Sequence, residues 1–324
     1  MKAIVCKEFG PPEKLVYEES TTLPMGKNAV RVAVKAVGVN FPDTLIIQGK
    51  YQFRPDPPFT PGGEFAGEIV EVGADIKHLK VGDHVAGVAV YGAYAEQLVA
   101  PAAVCMPLPK GMDFTAGAAF PMIYGTSYHA LKQRADLKAG ETLLVLGAAG
   151  GVGLAAVQLG KLMGARVIAA AGSDEKLELC RANGADEAIN YSTGSLKEQV
   201  KKLTGGKGAD VIYDPVGGDY FDQSMSCINW KGRLLVIGFA GGTIPSLAVN
   251  RVLLKGCAVV GVFWGDFVRR EPQVNMENFH KLFQWYSEGK LKPPVSKTYP
   301  LAQAPQAMND LLTRKATGKL ILLP

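Results

Sequence analysis

The sequence predicts an α/β protein of two domains, an antiparallel β-barrel and a doubly wound parallel sheet with helices on both faces. The first observation is length, because 324 residues suit two domains and can bury a large core. The second is a change of pattern, from short strand-like runs in residues 1–110 to regular β-α alternation between 142 and about 262. The third is a glycine-rich turn between a buried strand and a helix at 142–154.

Composition and charge indicate a globular protein and argue against a nucleic-acid-binding one. Hydrophobic residues make up 48% of the chain and charged residues 20%, which is typical of globular rather than disordered proteins. The net charge of +5 is mild and the lysines are scattered. The chain has no basic stripe with interleaved aromatic residues, so we expect no nucleic acid as a primary partner.

The cysteines and the apolar segments indicate the compartment. Five cysteines form no Cys-x-x-Cys pair, and their odd number argues against a disulfide framework or a thiolate zinc site. A reduced cytoplasmic setting fits this usage. The first eight residues lack the apolar core of a signal peptide, and the longest apolar stretch, 143–157, is too short and glycine-rich to span a membrane. We therefore expect a cytoplasmic protein with no membrane partner.

The local patterns predict the elements in order. Period-2 runs at 29–37, 68–73 and 84–90 predict strands of the antiparallel domain. Residues 113–133 are predicted helical, with Asp113 as the N-cap and Pro121 as an interruption. Further strands are predicted at 142–147, 166–171, 187–190, 209–213, 232–238, 258–262 and 319–323, and helices at about 151–163, 174–183, 195–203, 219–228, 247–254, 274–288 and 303–314. We expect the last strand to return to the first domain.

The glycine-rich turn has the layout of a dinucleotide-binding loop. In Ala148-x-Gly150-x-x-Gly153 the middle glycine allows the backbone to approach a pyrophosphate, and the last allows close packing of helix on strand. Alanine replaces the first glycine of the common pattern. Such turns also occur simply where a helix crosses a strand closely, but the β-α units that follow favour the cofactor interpretation. The predicted phosphate-binding residues are Ala148, Gly150, Gly151, Val152 and Gly153.

The next strand predicts which dinucleotide is bound. A site for NAD usually has a carboxylate at the end of this strand, about 20 residues after the glycine-rich turn, where it binds the ribose 2′-OH. Here the strand runs into Gly172 and Ser173, and Lys176 follows. These residues offer close approach, a hydroxyl and a positive charge to a 2′-phosphate, so we expect NADPH. The alternative is that Ser173 only caps the next helix and Lys176 is solvated on its first turn.

Motifs spread along nearly the whole chain resemble those of the medium-chain dehydrogenase/reductase superfamily, and within it the zinc-free NADPH:quinone oxidoreductase group that includes zeta-crystallin. They lie at 38–44, 61–67, 81–85, 125–128, 148–153 and 314–318. The resemblance implies a GroES-like catalytic domain formed by residues 1–122 and 263–324. It also implies a Rossmann NADP(H)-binding domain at 123–262.

The resemblance further implies roles for single residues. Asn40 and Thr126 would lie near the nicotinamide and its ribose, Tyr191 near the adenine, and Lys315 near the 2′-phosphate. Many relatives have arginine at the last position, and lysine keeps the charge but loses the bidentate fork. The residues that would border the cofactor after two late strands are Gly238, Phe239, Phe263 and Trp264. For Phe263 and Trp264, packing in the core or in a dimer is the alternative.

The same comparison argues against a metal. In the zinc-dependent relatives a cysteine ligand lies where Val39-Asn40 stands, and a histidine ligand lies where Gly63 stands. Zinc needs three or four nitrogen, sulfur or oxygen ligands at fixed geometry. The four histidines are dispersed along the chain. We therefore expect no metal, which makes alcohol oxidation unfavourable and leaves hydride donation to an electron-poor acceptor.

Tyr51 is the sharpest catalytic candidate, because a phenol can donate a hydrogen bond or proton to the acceptor oxygen as hydride arrives. It lies in a segment rich in tyrosine, phenylalanine and proline, and related enoyl-thioester reductases have a tyrosine at the matching place. The alternative is an apolar wall with its hydroxyl in water. Quinone reduction can also proceed with solvent as the proton source.

Three functions follow from these residues. The first is an NADPH-dependent reductase of quinones or α,β-unsaturated carbonyls. The second is a 2-enoyl thioester reductase, for which Lys50 and Arg54 hint at a basic entrance. The third is a crystallin-like protein that binds NADPH without significant turnover. The resemblance also implies a homodimer formed through the apolar strand at 257–262, since an exposed strand edge otherwise invites association.

Overall fold

The computed structural model describes residues 1–21 and 23–324, which form two compact units. The first unit comprises Met1–Met122 and Pro293–Pro324, and the second comprises Ile123–Lys292.

The first part of the chain contributes strands and short α-helices to the first unit. They are β1 (Lys2–Val5), β2 (Val16–Glu19), β3 (Ala29–Val39), α1 (Phe41–Ile46), β4 (Glu64–Val72), β5 (His84–Val88), β6 (Gln97–Pro101), β7 (Cys105–Pro107) and α2 (Phe114–Ala118). The boundary helix α3 (Pro121–His129) follows and continues into one π-helical turn, Ala130–Arg134. Asp113 Oδ1 accepts the backbone N–H of Ala116 at 2.7 Å, which confirms the predicted N-cap.

The rest of the chain alternates strand and helix before it returns to the first unit. The elements of the second unit are β8 (Thr142–Val145), α4 (Gly151–Leu162), β9 (Arg166–Ala171), α5 (Asp174–Ala182), β10 (Glu187–Asn190), α6 (Leu196–Leu203), β11 (Ala209–Asp214), α7 (Asp219–Cys227), β12 (Ile228–Val236), α8 (Asn250–Lys255), β13 (Ala258–Gly261), α9 (Trp264–Arg270) and α10 (Pro272–Ser287). The first unit is completed by β14 (Val295–Pro300), α11 (Ala304–Leu312) and β15 (Lys319–Leu323).

The first unit is built on a mainly antiparallel sheet. Its strand order is β14-β15-β3-β4-β5-β7, with β6 also paired to β3, while β1 and β2 form a separate hairpin-like pair. Along the first half of β3 the side chains alternate between buried and partly exposed, and Val30, Val32 and Val34 enter the core. This alternation is why the sequence pattern identified the strands. The closing strand β15 pairs with β3, as predicted.

The second unit is a parallel sheet of Rossmann type. Its order is β10-β9-β8-β11-β12-β13, and every described pairing is parallel. The chain order therefore reverses between β8 and β11. Ligands of open α/β sheets bind at the carboxyl ends of the strands flanking such a switch point. This confirms the predicted α/β architecture.

The boundary between the units differs from the expected one, because residues 263–292 belong to the second unit. Their aromatic side chains explain this. Trp285 packs edge-on against Tyr128 with ring centroids 5.6 Å apart. The buried amide of Asn278 accepts a hydrogen bond from Gln133 Nε2 at 3.0 Å. Helices α9 and α10 thus extend the packing of α3 in the second unit.

Among the described residues, no helix is both long and apolar enough to cross a membrane.

Candidate functional site

The glycine loop lies at the switch point of the second unit. Gly147 has φ +55° and accepts a hydrogen bond from the backbone N–H of Gly150 at 3.0 Å, which closes the turn after β8. Gly150 precedes α4 in extended conformation, so α4 begins at Gly151. The first N–H groups of a helix have no intrahelical acceptor, and they are a ready site for a phosphate. The structure brings the five residues predicted to bind phosphate together in the turn and at the start of α4, namely Ala148, Gly150, Gly151, Val152 and Gly153.

Gly153 sets how closely α4 approaches β8. A Cβ on this residue would lie 2.4 Å from Gly147 O and 2.8 Å from Ala148 Cα, and both atoms belong to the backbone. At Gly150 the nearest atom to an added Cβ is Gly147 O at 3.4 Å, so this position has ordinary space. The two glycines thus differ: close packing of helix on strand requires Gly153, whereas Gly150 has space for a side chain.

Helix α3 is fixed against this loop through a buried hydroxyl. Ser127 Oγ donates to Val152 O at 3.0 Å and lies 2.8 Å from Tyr213 OH. Burial raises the pKa of Tyr213, so its phenol stays protonated. Thr126, half-buried and next to Ser127, is carried on the turn of α3 that contacts α4.

Four of the five residues proposed for the adenosine end of the cofactor lie at or beside the end of β9, namely Gly172, Ser173, Lys176 and Tyr191. Ser173 Oγ accepts the backbone N–H of Lys176 at 3.4 Å, so it does cap α5, as the alternative expected. An added Cβ on Gly172 would lie 3.5 Å from the Tyr191 ring. That ring also lies 4.4 Å from the ring of Tyr220, which the sequence reasoning missed. Capping does not remove the Ser173 hydroxyl proton, which can still be donated.

The acidic residue closest in sequence to this group is held by a partner. Asp174 Oδ1 accepts a hydrogen bond from Asn190 Nδ2 at 2.8 Å, which ties the carboxylate to the end of β10. No acidic residue stands at the end of β9 itself, which closes with Ala171.

Other predicted cofactor residues lie in different surroundings. Gly238 and Phe239 follow β12, and the Phe239 ring lies 3.0 Å from the position of an added Cβ on Gly217. Phe263 is 55% exposed, whereas Trp264 is 8% exposed and donates through Nε1 to Asn275 Oδ1 at 3.2 Å. For Trp264 the structure thus shows the core packing that was the alternative reading.

Asp214 lies at the carboxyl end of β11, an interior strand of the sheet, and the sequence analysis did not identify it. It ends β11, is 2% exposed, and its Oδ1 accepts the N–H groups of Val216 and Gly217, each at 2.8 Å. Burial raises the pKa of the carboxyl, against these two donors. The signal was an aspartate followed by proline and two glycines directly after a strand, which is a turn pattern.

The first unit holds a buried polar cluster around Asn40. The backbone N–H of Asn40 donates to Asp43 Oδ2 at 2.8 Å, and Tyr94 OH donates to the same oxygen at 3.1 Å. The Asn40 amide donates to Glu64 Oε2 at 2.9 Å, and that oxygen also accepts from Lys319 Nζ at 2.7 Å. Asp43, Glu64, Tyr94 and Lys319 were not predicted as site residues, because their contacts join distant segments.

Tyr51 belongs to the same unit and packs, half-buried, against its core. Burial and the nearby Asp43 carboxyl both raise the pKa of this phenol. A phenol that resists ionisation keeps its proton at neutral pH and remains a hydrogen-bond donor. Arg54, a few residues on, stacks on the Phe9 ring with its guanidinium carbon 4.5 Å from the ring centre.

Lys315 lies in the first unit, where it lines an open cavity of about 350 Å³. Lys297 is a second cation that lines this cavity. Asp310 also lines it, and its carboxylate accepts a hydrogen bond from Tyr299 OH at 2.6 Å. Across residues 1–21 and 23–324, no group of three His, Cys, Asp or Glu side chains is placed to hold a metal ion.

A parallel sheet with a glycine loop at its switch point, joined in one chain to an antiparallel unit, defines a two-domain dehydrogenase or reductase. The comparisons with known proteins agree. The family described as the alcohol dehydrogenase GroES-like domain matches residues 26–110, and the family described as zinc-binding dehydrogenase matches 151–285. The chain belongs to the medium-chain dehydrogenase/reductase superfamily of oxidoreductases, among the quinone oxidoreductases and their relatives.

Three relatives illustrate this similarity. Quinone oxidoreductase-like protein 2 homolog of Nematostella vectensis is 41% identical over 99% of this chain and 88% of its own length. The quinone oxidoreductase of Homo sapiens is 35% identical, covering 100% of this chain and 98% of its own. The crystal structure of Escherichia coli quinone oxidoreductase complexed with NADPH covers 100% of both chains, with 32% identity and a TM-score of 0.94.

The glycine loop generates a first prediction. Gly153→Ala should lower the free energy of unfolding by about 2 kcal/mol, because the added methyl group forces α4 away from β8. Gly150→Ala is the matched control, and we expect a loss of at most about 1 kcal/mol, since the space is open and the only cost is that Ala is a poorer N-cap than Gly. Urea unfolding of both variants measures this. Equal losses in the two would contradict the packing role of Gly153.

The Asp43 cluster generates a second prediction. Burial raises the pKa of Asp43 from 3.8 to about 6, and the nearby Glu64 carboxylate adds to this increase. The Asn40 N–H, Lys319 and Tyr94 act in the opposite direction and lower the pKa. The folded state therefore binds the proton more tightly than the unfolded state does. As pH rises from about 4 to about 6, the contribution of Asp43 to the free energy of unfolding falls. Relative to Asp43→Asn, the wild type should lose on the order of 3 kcal/mol across this window.

Urea unfolding at several pH values measures this difference, and a flat or inverted difference would sink the prediction. Asp186 supplies a control of opposite sign. Burial alone would raise the pKa of its carboxyl, but hydrogen bonds from Lys161 and the Val167 N–H lower the pKa overall. The wild type should therefore gain stability relative to Asp186→Asn as pH rises.

Proposed function

We propose that this protein is an NADPH-dependent reductase that transfers a hydride to quinones or α,β-unsaturated carbonyls without a metal. The observation that carries the proposal is the end of β9, which closes without an acidic residue and brings Gly172, Ser173 and Lys176 together. A ribose carrying a 2′-phosphate needs donors there and no carboxylate. The first turn of α5 carries two acids, Asp174 and Glu175. Asp174 is engaged by Asn190, and both follow the strand end rather than closing it.

The second unit would hold the cofactor by its phosphates. The N-terminus of α4 faces the pyrophosphate, and the Lys176 charge and Ser173 hydroxyl meet the 2′-phosphate. Tyr191 would stack near the adenine, with Gly238, Phe239 and Phe263 along the carboxyl edge of the sheet. Lys315 is the further cation that family resemblance assigns to the 2′-phosphate. Bound NADPH supplies the hydride.

The first unit would handle the acceptor. Tyr51 donates a hydrogen bond to the acceptor oxygen, where negative charge develops as hydride arrives at the electron-poor carbon. A tyrosine phenol is protonated at neutral pH, and burial with the nearby Asp43 carboxyl raises the pKa of Tyr51 further, so it acts as a donor and not as an anion. Asn40 and Thr126 position the nicotinamide and its ribose. The buried surroundings of the Asn40 cluster exclude water from this side of the reaction.

The thioester alternative has less support. It requires a basic entrance for the phosphates of CoA or an acyl carrier, and Arg54, one of the two candidate cations, is stacked on Phe9. Lys50 Nζ donates to Gln48 Oε1 at 2.9 Å.

Stopped-flow kinetics with NADPH and NADH against an ortho-quinone, a simple enone and crotonyl-CoA tests the proposal. We expect NADPH to be oxidised at least tenfold faster than NADH, with the quinone or enone as the better acceptor. Tyr51→Phe should slow reduction of the enone more than reduction of the quinone, since a hydroquinone anion can take its proton from solvent. Preference for NADH would refute the role of the β9 end. Crotonyl-CoA as best acceptor would favour the thioester reductase, and tight NADPH binding without turnover would favour a non-catalytic protein.

We also propose a homodimer formed through the edge of the parallel sheet. Within the described residues β13 pairs only with β12, so its other edge is open. The segment before it exposes Val249, Leu253 and Leu254 at 79%, 80% and 76%. An open strand edge beside exposed aliphatic side chains is suited to a second copy of the same edge.

Light scattering after gel filtration tests the dimer. The double variant Leu253→Glu/Leu254→Glu should halve the measured mass, because two charges would be buried against their counterparts in the partner. Leu23→Glu is the matched control, since Leu23 is also highly exposed, at 64%, but lies in the first unit. A wild type that elutes as a monomer would refute the proposal.

A further inference from the structure

Lys319 is a lysine with almost no exposure to solvent. It is 3% exposed, and its ammonium group meets three acceptors: Glu64 Oε2 at 2.7 Å, Asn40 Oδ1 at 2.7 Å and Val39 O at 3.2 Å. An ammonium has three N–H donors, so all three are used. Glu64 itself is 0% exposed, and its second oxygen accepts the N–H of Met122 at 2.7 Å.

The backbone is shaped to bring this lysine to its partners. Strand β15 runs antiparallel to β3 with Leu320 opposite Val39, so Lys319 lies beside the end of β3 where Asn40 follows. Gly318 has φ +60°, and a Cβ there would lie 2.0 Å from Pro294 O. A Cβ on Gly38 would lie 2.4 Å from Glu64 Oε2, so the glycine leaves room for the carboxylate.

The lysine fixes which way the Asn40 amide points. Asn40 Nδ2 donates to Glu64 Oε2 at 2.9 Å and to Gly38 O at 3.1 Å, and Oδ1 accepts from Lys319. Rotating the amide by half a turn would set its NH₂ against the ammonium and its oxygen against two acceptors. Both amide protons are committed, so toward any further group this side chain can act only as an acceptor, through Oδ1.

This arrangement dictates the chemistry that Asn40 can offer. It can accept a hydrogen bond from a ligand but cannot donate one. Both a carboxamide NH₂ and a ribose hydroxyl can supply such a donor. If the lysine were absent, the amide could turn over and Glu64 would be left as a buried carboxylate without its cation, which is strongly unfavourable.

We propose that Lys319 is a positioning residue for hydride transfer, acting as an internal cation that holds Asn40 as a fixed hydrogen-bond acceptor. The oxygens of Glu64, Asn40 and Val39 then form a cation site, and the ammonium group of Lys319 occupies that site as part of the same chain. Removing that side chain should leave a site that takes a small primary ammonium ion. The kinetic part of this inference rests on the proposed reductase function, whereas the cation site does not.

Lys319→Ala with added n-propylammonium tests the cation site. The variant should melt at least 8 °C below the wild type and recover half or more of that loss with saturating n-propylammonium. Tetramethylammonium, which has no N–H and is broader, should give no recovery. Ile321→Ala is the matched control, because Ile321 is 0% exposed on the same strand and its removal leaves an apolar space without acceptors. Its melting temperature should not respond to the amine. No saturable recovery in Lys319→Ala would overturn the cation site.

Kinetics of the same variant tests positioning. With the acceptor that serves the wild type best, kcat should fall at least tenfold, while the dissociation constant for NADPH, set mainly by phosphate contacts elsewhere, should change less than threefold. Added n-propylammonium should restore kcat in parallel with the melting temperature. Recovery of stability without recovery of kcat would show a purely structural lysine and overturn the positioning role.

A second variant keeps the proposal testable if Lys319→Ala does not fold. Glu64→Gln/Lys319→Met removes both charges at nearly constant volume, which should preserve folding. Methionine cannot donate to Asn40, so kcat should remain at least fivefold low, and wild-type kcat would refute the positioning role. If the wild type itself reduces no acceptor, the proposed function fails, while the thermal measurements still decide the cation site.

Discussion

A carboxylate that is fully removed from water must be matched by a cation and by donors, and in the first unit this requirement connects four segments that are distant in sequence. Glu64 at the start of β4 is met by Lys319 from β15, by the Asn40 amide and by the Met122 N–H. The same contacts fix the start of α1, where Asp43 receives the Asn40 N–H. The conformation of the Asn40 segment is therefore a result of electrostatic neutralisation as much as of apolar packing.

The second unit depends on a different constraint, which is steric. Its glycine-rich turn after β8 exists because a helix can begin almost in contact with the preceding strand, and Gly153 allows that contact. In the first unit the Asn40 segment is thus held by a buried ion pair, whereas in the second the turn before α4 is held by close approach of backbone to backbone.

Local pattern was sufficient for most of the fold. The alternation of β3 and the β-α repeats were visible in the sequence because a strand or helix buries one face at a fixed period. The Ala148–Gly153 loop was also predictable, since its geometry requires small residues at set spacings. The boundary near 263 was not, because it depends on Trp285 and Asn278 meeting α3 across more than a hundred residues of chain. Lys319 likewise was predicted only as a strand residue, since nothing local indicates that its partner is Glu64.

The pairing of Lys319 with Glu64 spans 255 positions, and this separation has a consequence for synthesis of the chain. Translation delivers Glu64 early and its cation only after the whole second unit has been made. The parallel-sheet unit is contiguous and can fold as it emerges. Until β15 arrives, the first unit has a carboxylate that it cannot bury and a β3 edge without its partner strand. The antiparallel unit should thus be the last to become protease-resistant on the ribosome, even though most of its residues are translated first.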